Sequence, residues 1–305
     1  MSRIKYGIDL GTTNSAIAVM DKGESTIIKN ENQADTTPSC VGFNKKKGVS
    51  IGRKAFDQLN SDKLRALKKG NAGSSETFIE FKRTMGSDKR YPSAFMEQEF
   101  SSAELSAEVL KKLKSLVVNE SFKSVVITIP AMFNDNQKSA TQKAAELAGF
   151  SQVELLQEPI AAAMSYGLDE KVKDGHILIF DFGGGTFDVC LVNLEDGIMQ
   201  VKDTEGDNWL GGKNLDDAIV DEILLPYVSE NYEIKSFLTD DVKNTLLKNA
   251  LKIKAEVLKI ELSFASSADV MTNLGDYPDD DNGEEIELDL TVTHDDLVRV
   301  IGPIF

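Results

Sequence analysis

The feature that most constrains this fold is the stretch from His176 to Asp188, where an apolar strand runs into an acid, three glycines, a threonine and a second acid. Glycine lets backbone N–H groups come close to an anion, because no Cβ stands in the way. Asp181 and Asp188 would repel a bare phosphate, so the pattern favours a site for a metal-bound polyphosphate. The same residues also fit a tight glycine hairpin with an acid on either side, and this stretch alone leaves both interpretations open.

A second copy of the pattern near the N-terminus favours the phosphate site. Tyr6–Leu10 reads as a strand, and Asp9-Leu10-Gly11 repeats the Asp181-Phe182-Gly183 of the central stretch, with hydroxyl residues after each glycine. A repeated strand–turn–strand unit predicts two related lobes. We expect each lobe to present one phosphate-facing turn to a shared cleft.

The composition excludes several classes of protein. With 305 residues the chain is long enough for two domains, and its net charge of −16 argues against a surface for nucleic acid or anionic membranes. Cys40 and Cys190 predict buried reduced thiols, with a single disulfide as the alternative. No apolar run approaches the roughly 18 residues of a membrane span, and no signal peptide is apparent. We therefore expect a cytoplasmic protein with no nucleic-acid or membrane partner.

The order of elements predicts an α/β fold. Strands and helices alternate over residues 102–167: Ser102 is expected to cap a helix, Ser124–Ile129 reads as a strand, and Pro159 lies in the first turn of a later helix. This alternation indicates a mostly parallel sheet covered by helices. Near the end of the sequence, Thr293 is expected to cap a further helix. The more weakly patterned residues 39–100 read as an inserted subdomain that ends in a short amphipathic helix, Glu76 to Thr84, carrying Lys82. A three-strand meander starts near Gly175, a long helix runs from Asp240 to about Leu262, and the acidic residues 276–285 predict a solvated hairpin loop. We expect lobes at residues 1–174 and 175–305, the second with an insertion at about 214–290.

The common alternatives for a phosphate or metal site fail on their spacing. The P-loop pattern is absent, since Asp207 stands where its first glycine should be. Gly183-x-Gly185 is no dinucleotide fingerprint, because Asp188 stands at the third glycine. Protein-kinase signatures are missing, and two histidines are too few and too isolated for a zinc site.

Several stretches, in order along nearly the whole chain, resemble the nucleotide-binding domain of the heat-shock protein 70 chaperones; they are residues 8–15, 126–137, 158–163, 181–188, 206–212 and 259–263. The first and fourth resemble the two phosphate loops of that family, and Thr77 to Gly86 resembles its more divergent bacterial members. The resemblance implies an actin-like, ribonuclease H-like ATPase fold of two lobes, each a mixed sheet with flanking helices and an inserted subdomain.

The resemblance also implies hydrolysis of ATP to ADP and phosphate, with Mg²⁺ and K⁺ as cofactors. Asp9 and Asp181 would hold Mg²⁺ largely through its waters, and Asp188 would join them for K⁺. The remaining nucleotide-binding residues would be Gly11, Thr12, Thr13, Asn14, Gly183, Gly184, Gly185, Thr186, Gly211 and Gly212, with Glu256, Lys259 and Ser263 at the adenosine.

The catalytic roles implied by the resemblance fall on four residues. Lys82 would contact the γ-phosphate and the attacking water, and Glu158 would orient that water or receive its proton. Asp181 and Thr186 would lie beside the reacting phosphate. Taken singly, Lys82 also fits a solvated helix lysine and Glu158 an ordinary first-turn acid; the ordered set of motifs favours catalysis.

Departures from the family pattern limit what is implied. The chain is expected to end before the Gly-Gly-Ser-x-Arg loop that closes the adenosine site and before the peptide-binding domain. The 305-residue chain is then expected to bind nucleotide poorly and to turn it over weakly or not at all. Lys138 stands where the family usually has arginine, and Lys213-Asn214 replaces its usual acidic pair.

The implied role is that of a stress-response chaperone. Its partners would be client peptides held by a domain outside this chain, a J-domain co-chaperone and a nucleotide-exchange factor. Two alternatives stay open: a nucleotide-gated scaffold without significant turnover, and an actin-like small-molecule kinase.

Overall fold

The computed structural model describes residues 4–59, 76–118, 120–167, 174–207, 209–274 and 279–305. It divides into two compact units, one formed by described residues of Met1–Leu59 and Ser75–Trp209 and the other containing Leu210–Phe305. This division falls after Trp209, so the first unit contains both Asp-x-Gly turns. The lobe boundary near Gly175 stays a prediction.

The main sheet of the first unit contains β1 (Tyr6–Leu10), β2 (Asn14–Asp21), β3 (Glu24–Ile27), β4 (Thr37–Pro38), β10 (Ser124–Ile129) and β11 (Gln152–Gln157). The sheet is mixed, with its strands in the order β11-β10-β1-β2-β3 and with β4 paired to β2. β1 pairs in parallel with β10, and β10 with β11, as the alternation of strands and helices predicted. The other pairs are antiparallel.

The described helices of this unit include Ser102–Ser115, Asp135–Leu147 and Glu158–Ser165, and local chemistry sets where these begin. The first begins one residue after Ser101, whose hydroxyl accepts the Glu104 N–H at 3.2 Å, so the cap predicted at Ser102 is wrong by one position. The Glu104 carboxylate accepts the Ser101 N–H in return, at 2.7 Å. The third helix has Pro159 in its first turn, as predicted.

The inserted residues 39–100 form two small sheets. β5 (Val41–Phe43) lies between β6 (Val49–Ile51) and β7 (Thr77–Phe78), and a hairpin joins β8 (Tyr91–Ser93) to β9 (Gln98–Phe100).

The helix predicted from Glu76 to Thr84 is wrong. The structure has β7 there, followed by a single 3₁₀ turn at Phe81–Thr84. Glu80 adopts a left-handed conformation with φ of 58°, which no helix interior accommodates. The buried Glu76 carboxylate accepts hydrogen bonds from Ser93 Oγ and the Ala94 N–H. These distant partners hold the chain extended and override its helical periodicity.

The second sheet of the first unit is the predicted meander. β12 (Gly175–Phe182), β13 (Phe187–Glu195) and β14 (Ile198–Asp207) are antiparallel neighbours. The resemblance implied a mixed sheet in each lobe, but these three strands contain no parallel pair among the residues that the structure describes. Asp181 lies directly opposite Asp188 in this hairpin.

The second unit combines helices with one hairpin. Its longest helix is Asp241–Leu262, as predicted to within one residue, and Leu251, Leu258 and Leu262 on this helix are buried in the core of the unit. The remaining helices are Gly212–Ile219, Leu225–Asn231, Lys235–Thr239 and His294–Ile301, with a π turn at Val220–Leu224 and a 3₁₀ turn at Gly302–Ile304. β15 (Ser267–Asn273) pairs with β16 (Glu287–Thr293).

The acidic residues 276–285 were predicted to form a solvated loop, and this is wrong for Asp280. Residues 276–278 of the loop lie outside the described chain. The Asp280 side chain is buried, and its carboxylate accepts the backbone N–H groups of Glu233, Asn282 and Glu284 at 2.8–3.0 Å. This acid therefore organises the loop from within. No helix among the described residues combines the length and the apolar character needed to span a membrane.

Candidate functional site

The N-terminal Asp-x-Gly turn connects β1 to β2 and is tightly held. A Cβ at Gly11 would overlap the Asn14 carbonyl oxygen, so this position accepts glycine alone. Ser39 secures the turn from outside, because its hydroxyl donates to the Gly11 carbonyl at 2.7 Å and its N–H donates to the Thr13 carbonyl at 2.8 Å. Thr12 and Thr13 are thus presented on a rigid backbone.

The central turn connects β12 to β13 and is closed by one backbone hydrogen bond, from the Gly183 N–H to the Thr186 carbonyl at 2.9 Å. Gly184 brings it against the first turn, since a Cβ added there would lie 2.5 Å from Thr13 Oγ1. The structure therefore brings the two repeated turns together within the first unit.

Thr13 Oγ1 is buried and has no hydrogen-bond partner among the described residues. A buried hydroxyl without a partner costs about 1–3 kcal/mol relative to one that is satisfied. The Thr13 hydroxyl can therefore still donate a hydrogen bond, and an oxygen atom of an anion would accept it.

Three acids predicted as metal ligands interact electrostatically. Burial raises the pKa of Asp181, and the charge of Asp9 raises it further. Burial likewise raises the pKa of Asp188, to which the charge of Asp181 adds. Asp9 itself, at the end of β1, accepts a hydrogen bond from Thr128 Oγ1 at 2.8 Å. Carboxylates that repel one another in this way favour a bound cation.

The predicted catalytic pair is in direct contact. Lys82 Nζ donates to Glu158 Oε1 at 2.8 Å, and their side chains are only 8% and 19% exposed. Burial raises the pKa of Glu158; Asp9 and Asp181 add to this effect, whereas Lys82 opposes it. Lys82 also lowers the pKa values of Asp181 and Asp188. Lys82 is therefore the positive charge that interacts with all three acids, Glu158, Asp181 and Asp188.

These residues fit a phosphate that carries a metal ion. The orphaned hydroxyl and the glycine backbone suit phosphate oxygens, and the acids suit a hard cation such as Mg²⁺. Within the described ranges, no three acidic, histidine or cysteine side chains are placed to enclose a metal by themselves. Mg²⁺ usually keeps several of its own waters, so it does not require such an enclosure.

The other residues predicted for the phosphates and for coupling have ordinary surroundings. Asn14 begins β2 and is exposed, opposite Pro38 of β4. Thr186 is half-buried at the end of the central turn. Lys138 is on the surface and pairs with Asp135 at 3.6 Å.

The residues predicted for adenosine lie in the second unit. Lys259 Nζ donates to Asp216 Oδ1 at 2.6 Å and to the Gly212 carbonyl at 3.2 Å. Ser263 Oγ donates to the Lys259 carbonyl at 2.9 Å, inside its own helix. Glu256 is exposed. The structure thus brings Lys259 to the glycine that begins helix Gly212–Ile219, with its charge already paired.

Two other features of the second unit involve the residues predicted for adenosine. Burial lowers the pKa of Lys213 to about 8, with Lys252 adding to the effect and Glu256 opposing it. Ser263 also lines a groove of about 580 Å³, together with Phe264 and His294.

Sequence reasoning missed Arg83 and Thr128. Arg83 Nη2 donates to the Gly185 carbonyl of the central turn at 2.7 Å, and its guanidinium lies 5.1 Å from the centre of the Trp209 ring. Its position directly after Lys82 could have predicted a role, because a second cation next to a phosphate-contacting lysine also lies near the phosphate site. Thr128 lay within a recognised motif, but only the parallel pairing of β1 and β10 puts it near Asp9.

A comparison with protein families agrees with this arrangement. The family model described as Hsp70 protein matches residues 5–301. The match spans both turns, the acids, the Lys82–Glu158 pair and the adenosine candidates. Because it covers nearly the whole chain, this protein belongs to the heat-shock protein 70 family.

Proposed function

We propose that this chain is the ATP-binding and ATP-hydrolysing module of a molecular chaperone. Membership of the heat-shock protein 70 family supports a chaperone ATPase with an actin-like fold. The observation that carries the proposal for these residues is the buried, unpartnered Thr13 hydroxyl against Gly184. This hydroxyl lies where the two glycine turns meet, and each turn follows one of two acids that repel each other, Asp9 and Asp181.

The phosphates of ATP would be bound by the two turns. Backbone N–H groups and hydroxyls of residues 11–14 and 183–186 donate to the β- and γ-phosphates. Asp9 and Asp181 would hold Mg²⁺, and Asp188 would join them in binding K⁺. When bound, the cations neutralise the charge of the phosphates. Burial raises the pKa values of Asp181 and Asp188, and repulsion from a neighbouring acid adds to this effect. This supports the assignment, since a bound cation would stabilise the charged carboxylates.

Glu158 is the proposed group that orients the attacking water or accepts its proton. A base is most effective when its pKa approaches the working pH, and burial raises the pKa of Glu158 in that direction. Such a group contributes about 10²–10⁴ in rate. Lys82 holds the carboxylate and contacts the γ-phosphate, which couples the position of the base to that of the substrate.

The wider parts of the proposal rest on the family alone. Glu256, Lys259 and Ser263 bind adenosine, and Gly211 and Gly212 contribute to the nucleotide site. Nucleotide turnover switches peptide binding by a separate domain, with a J-domain co-chaperone and a nucleotide-exchange factor as regulators. The protein works in the cytoplasm, in the response to stress.

Calorimetry and single-turnover hydrolysis test the function. We expect weak binding of ADP and of ATP that requires Mg²⁺, and slow release of phosphate when protein exceeds ATP. Lys82→Ala and Glu158→Ala should each slow hydrolysis at least about 100-fold. Lys111→Ala is the control, because it breaks a surface pair with Glu108 of similar length, 2.6 Å.

The outcomes separate the alternatives. If the parent binds nucleotide but releases no phosphate, the nucleotide-gated scaffold replaces the ATPase. If both active-site variants hydrolyse ATP at the parental rate, the two catalytic roles are wrong. Absence of any nucleotide binding at millimolar concentration contradicts the proposal as a whole.

A further inference from the structure

We propose that Arg83 is a positioning residue that fixes the orientation of the peptide group between Gly185 and Thr186, so that the N–H of Thr186 faces a bound phosphate. This rests on the proposed function only in taking the anion to be a nucleotide phosphate. Arg83 lies in the Thr77–Gly86 stretch, but the six ordered motifs and the assigned catalytic and binding residues do not include it.

The first step is the contact itself. Arg83 Nη2 donates to the Gly185 carbonyl oxygen at 2.7 Å. A Cβ at Gly185 would overlap the same guanidinium, so the close approach depends on glycine at this position. In a trans peptide the C=O and N–H point in opposite directions. Holding the carbonyl toward Arg83 therefore turns the N–H of Thr186 away from it.

The second step is that the turn itself does not settle this orientation. Gly183, Gly184 and Gly185 carry no Cβ, so the peptide groups beside them can rotate with little steric penalty. The Gly183 N–H to Thr186 carbonyl bond closes the turn but leaves the Gly185–Thr186 peptide unspecified. With that peptide reversed, a carbonyl oxygen would face the phosphate and repel it. A cation on the carbonyl excludes that state and polarises the N–H as a donor.

The third step is that Arg83 is itself held in place. Its guanidinium lies 5.1 Å from the centre of the Trp209 ring, and its Nη1 lies 3.4 Å from Glu80 Oε2. The backbone N–H of Trp209 donates to Asp207 Oδ1 at 2.7 Å, which fixes the backbone that carries the ring. The Arg83 side chain is only 17% exposed, whereas Glu80 is 28% exposed and Trp209 is 70% exposed. Trp209 thus supports Arg83, and Arg83 supports the turn.

The experiment compares Arg83→Met, which removes the donor, with Arg83→Lys, which keeps a charge but loses the planar fork. Arg53→Met is the matched control, because Arg53 also pairs with an acid, Asp57 at 2.8 Å, and lies 5.9 Å from the Phe56 ring, but on the surface. Amide NMR of Gly184 to Thr186 in the free protein reports the turn. Affinities for Mg-ADP and for AMP, which lacks the β-phosphate, report recognition of the phosphate.

We expect Arg83→Met to weaken Mg-ADP binding about 10–100-fold, the effect of losing one hydrogen bond that involves a charged group. AMP binding should change less than about twofold, Arg83→Lys should recover part of the loss, and Arg53→Met should match the parent. In the free protein, Arg83→Met should shift or broaden the amide signals of Gly184 to Thr186.

Equal losses for AMP and Mg-ADP, or unchanged amide signals of the turn, would overturn the inference. If the parent binds no nucleotide, the proposed function fails, and the amide signals alone decide whether Arg83 orders the turn. Trp209→Leu adds an independent check, since it should shift the same amides in the same direction but by less.

Discussion

The Lys82–Glu158 ion pair leads to an asymmetric prediction about stability. Lys82→Met should destabilise the first unit by about 3–5 kcal/mol, the usual cost of leaving a buried charge without its partner. Glu158→Gln should cost at most about 1–2 kcal/mol, because the amide oxygen still accepts a hydrogen bond from Lys82. The two side chains are 8% and 19% exposed, so solvent compensates neither loss fully.

The asymmetry follows from the neighbouring charges. Without Lys82, the Glu158 carboxylate faces Asp9 and Asp181, and both raise its pKa. Without the Glu158 charge, Lys82 still interacts favourably with Asp181 and Asp188, whose pKa values it lowers. Lys82→Met therefore leaves repulsion between Glu158 and the neighbouring acids, whereas Glu158→Gln leaves the attraction between Lys82 and the aspartates.

The pH dependence has a definite sign. Loss of Lys82 raises the folded-state pKa of Glu158 further above the 4.5 of an ordinary glutamate, so the folded variant binds more protons than the folded parent over that window. The extra destabilisation of Lys82→Met is thus smallest in acid. It grows as the pH rises through the folded-state pKa of Glu158, by at most about 1.4 kcal/mol per pH unit.

Denaturant unfolding at pH 5, 7 and 8.5 measures these differences. The fluorescence of Trp209, the only tryptophan in the chain, reports on the unit that contains the pair. Lys111→Ala is the control for an exposed pair and should change stability by less than about 1 kcal/mol. Equal costs for Lys82→Met and Glu158→Gln, or a cost of Lys82→Met that shrinks as the pH rises, would refute the reasoning.

Three further predictions follow from other contacts. Gly184→Ala places a Cβ 2.5 Å from a hydroxyl oxygen of the facing turn and should weaken Mg-ADP binding at least about tenfold by calorimetry, whereas Gly7→Ala, with nothing within 4 Å, should bind like the parent. Asp181→Asn should raise the thermal midpoint of the nucleotide-free protein at pH 7.5 and weaken Mg-ADP binding. Folding raises the pKa of Asp181, so its charged form destabilises the folded protein as the pH rises, and asparagine removes that charge. A lower thermal midpoint would contradict this prediction. Leu110→Ala, at a fully buried position, should cost about 2–5 kcal/mol in urea unfolding, and a similar cost for Leu147→Ala, 41% exposed, would contradict the core assignment.

Local chemistry in the sequence predicted much of the fold. β1 and β10 were predicted to the residue, and the helix His294–Ile301 begins where Thr293 predicted its cap, with Asp296 completing the capping box. Each of these depends on residues a few positions apart. The failure at Glu76 has the opposite cause, because its carboxylate is held by Ser93 and by backbone that follows a later strand.

The candidate site shows the same division. The residue types of the acids, glycines and hydroxyls were readable as a phosphate and metal pattern, and a family resemblance supplied their roles. The link from Arg83 to Gly185 was not readable, since it joins a 3₁₀ turn to a hairpin more than a hundred residues away. Nor did any pattern show that Trp209 would lie against that arginine.

The amino-acid sequence by itself determined the two Asp-x-Gly turns, their flanking strands and the helix caps, because backbone preference and capping act between near neighbours in the chain. Only the tertiary structure decided that Thr13 meets Gly184, that Lys82 pairs with Glu158 and that Asp181 lies within the electrostatic reach of Asp9. Those contacts depend on how separate sheets and helices pack. Packing is set by the fit of whole surfaces, which no short stretch of sequence contains.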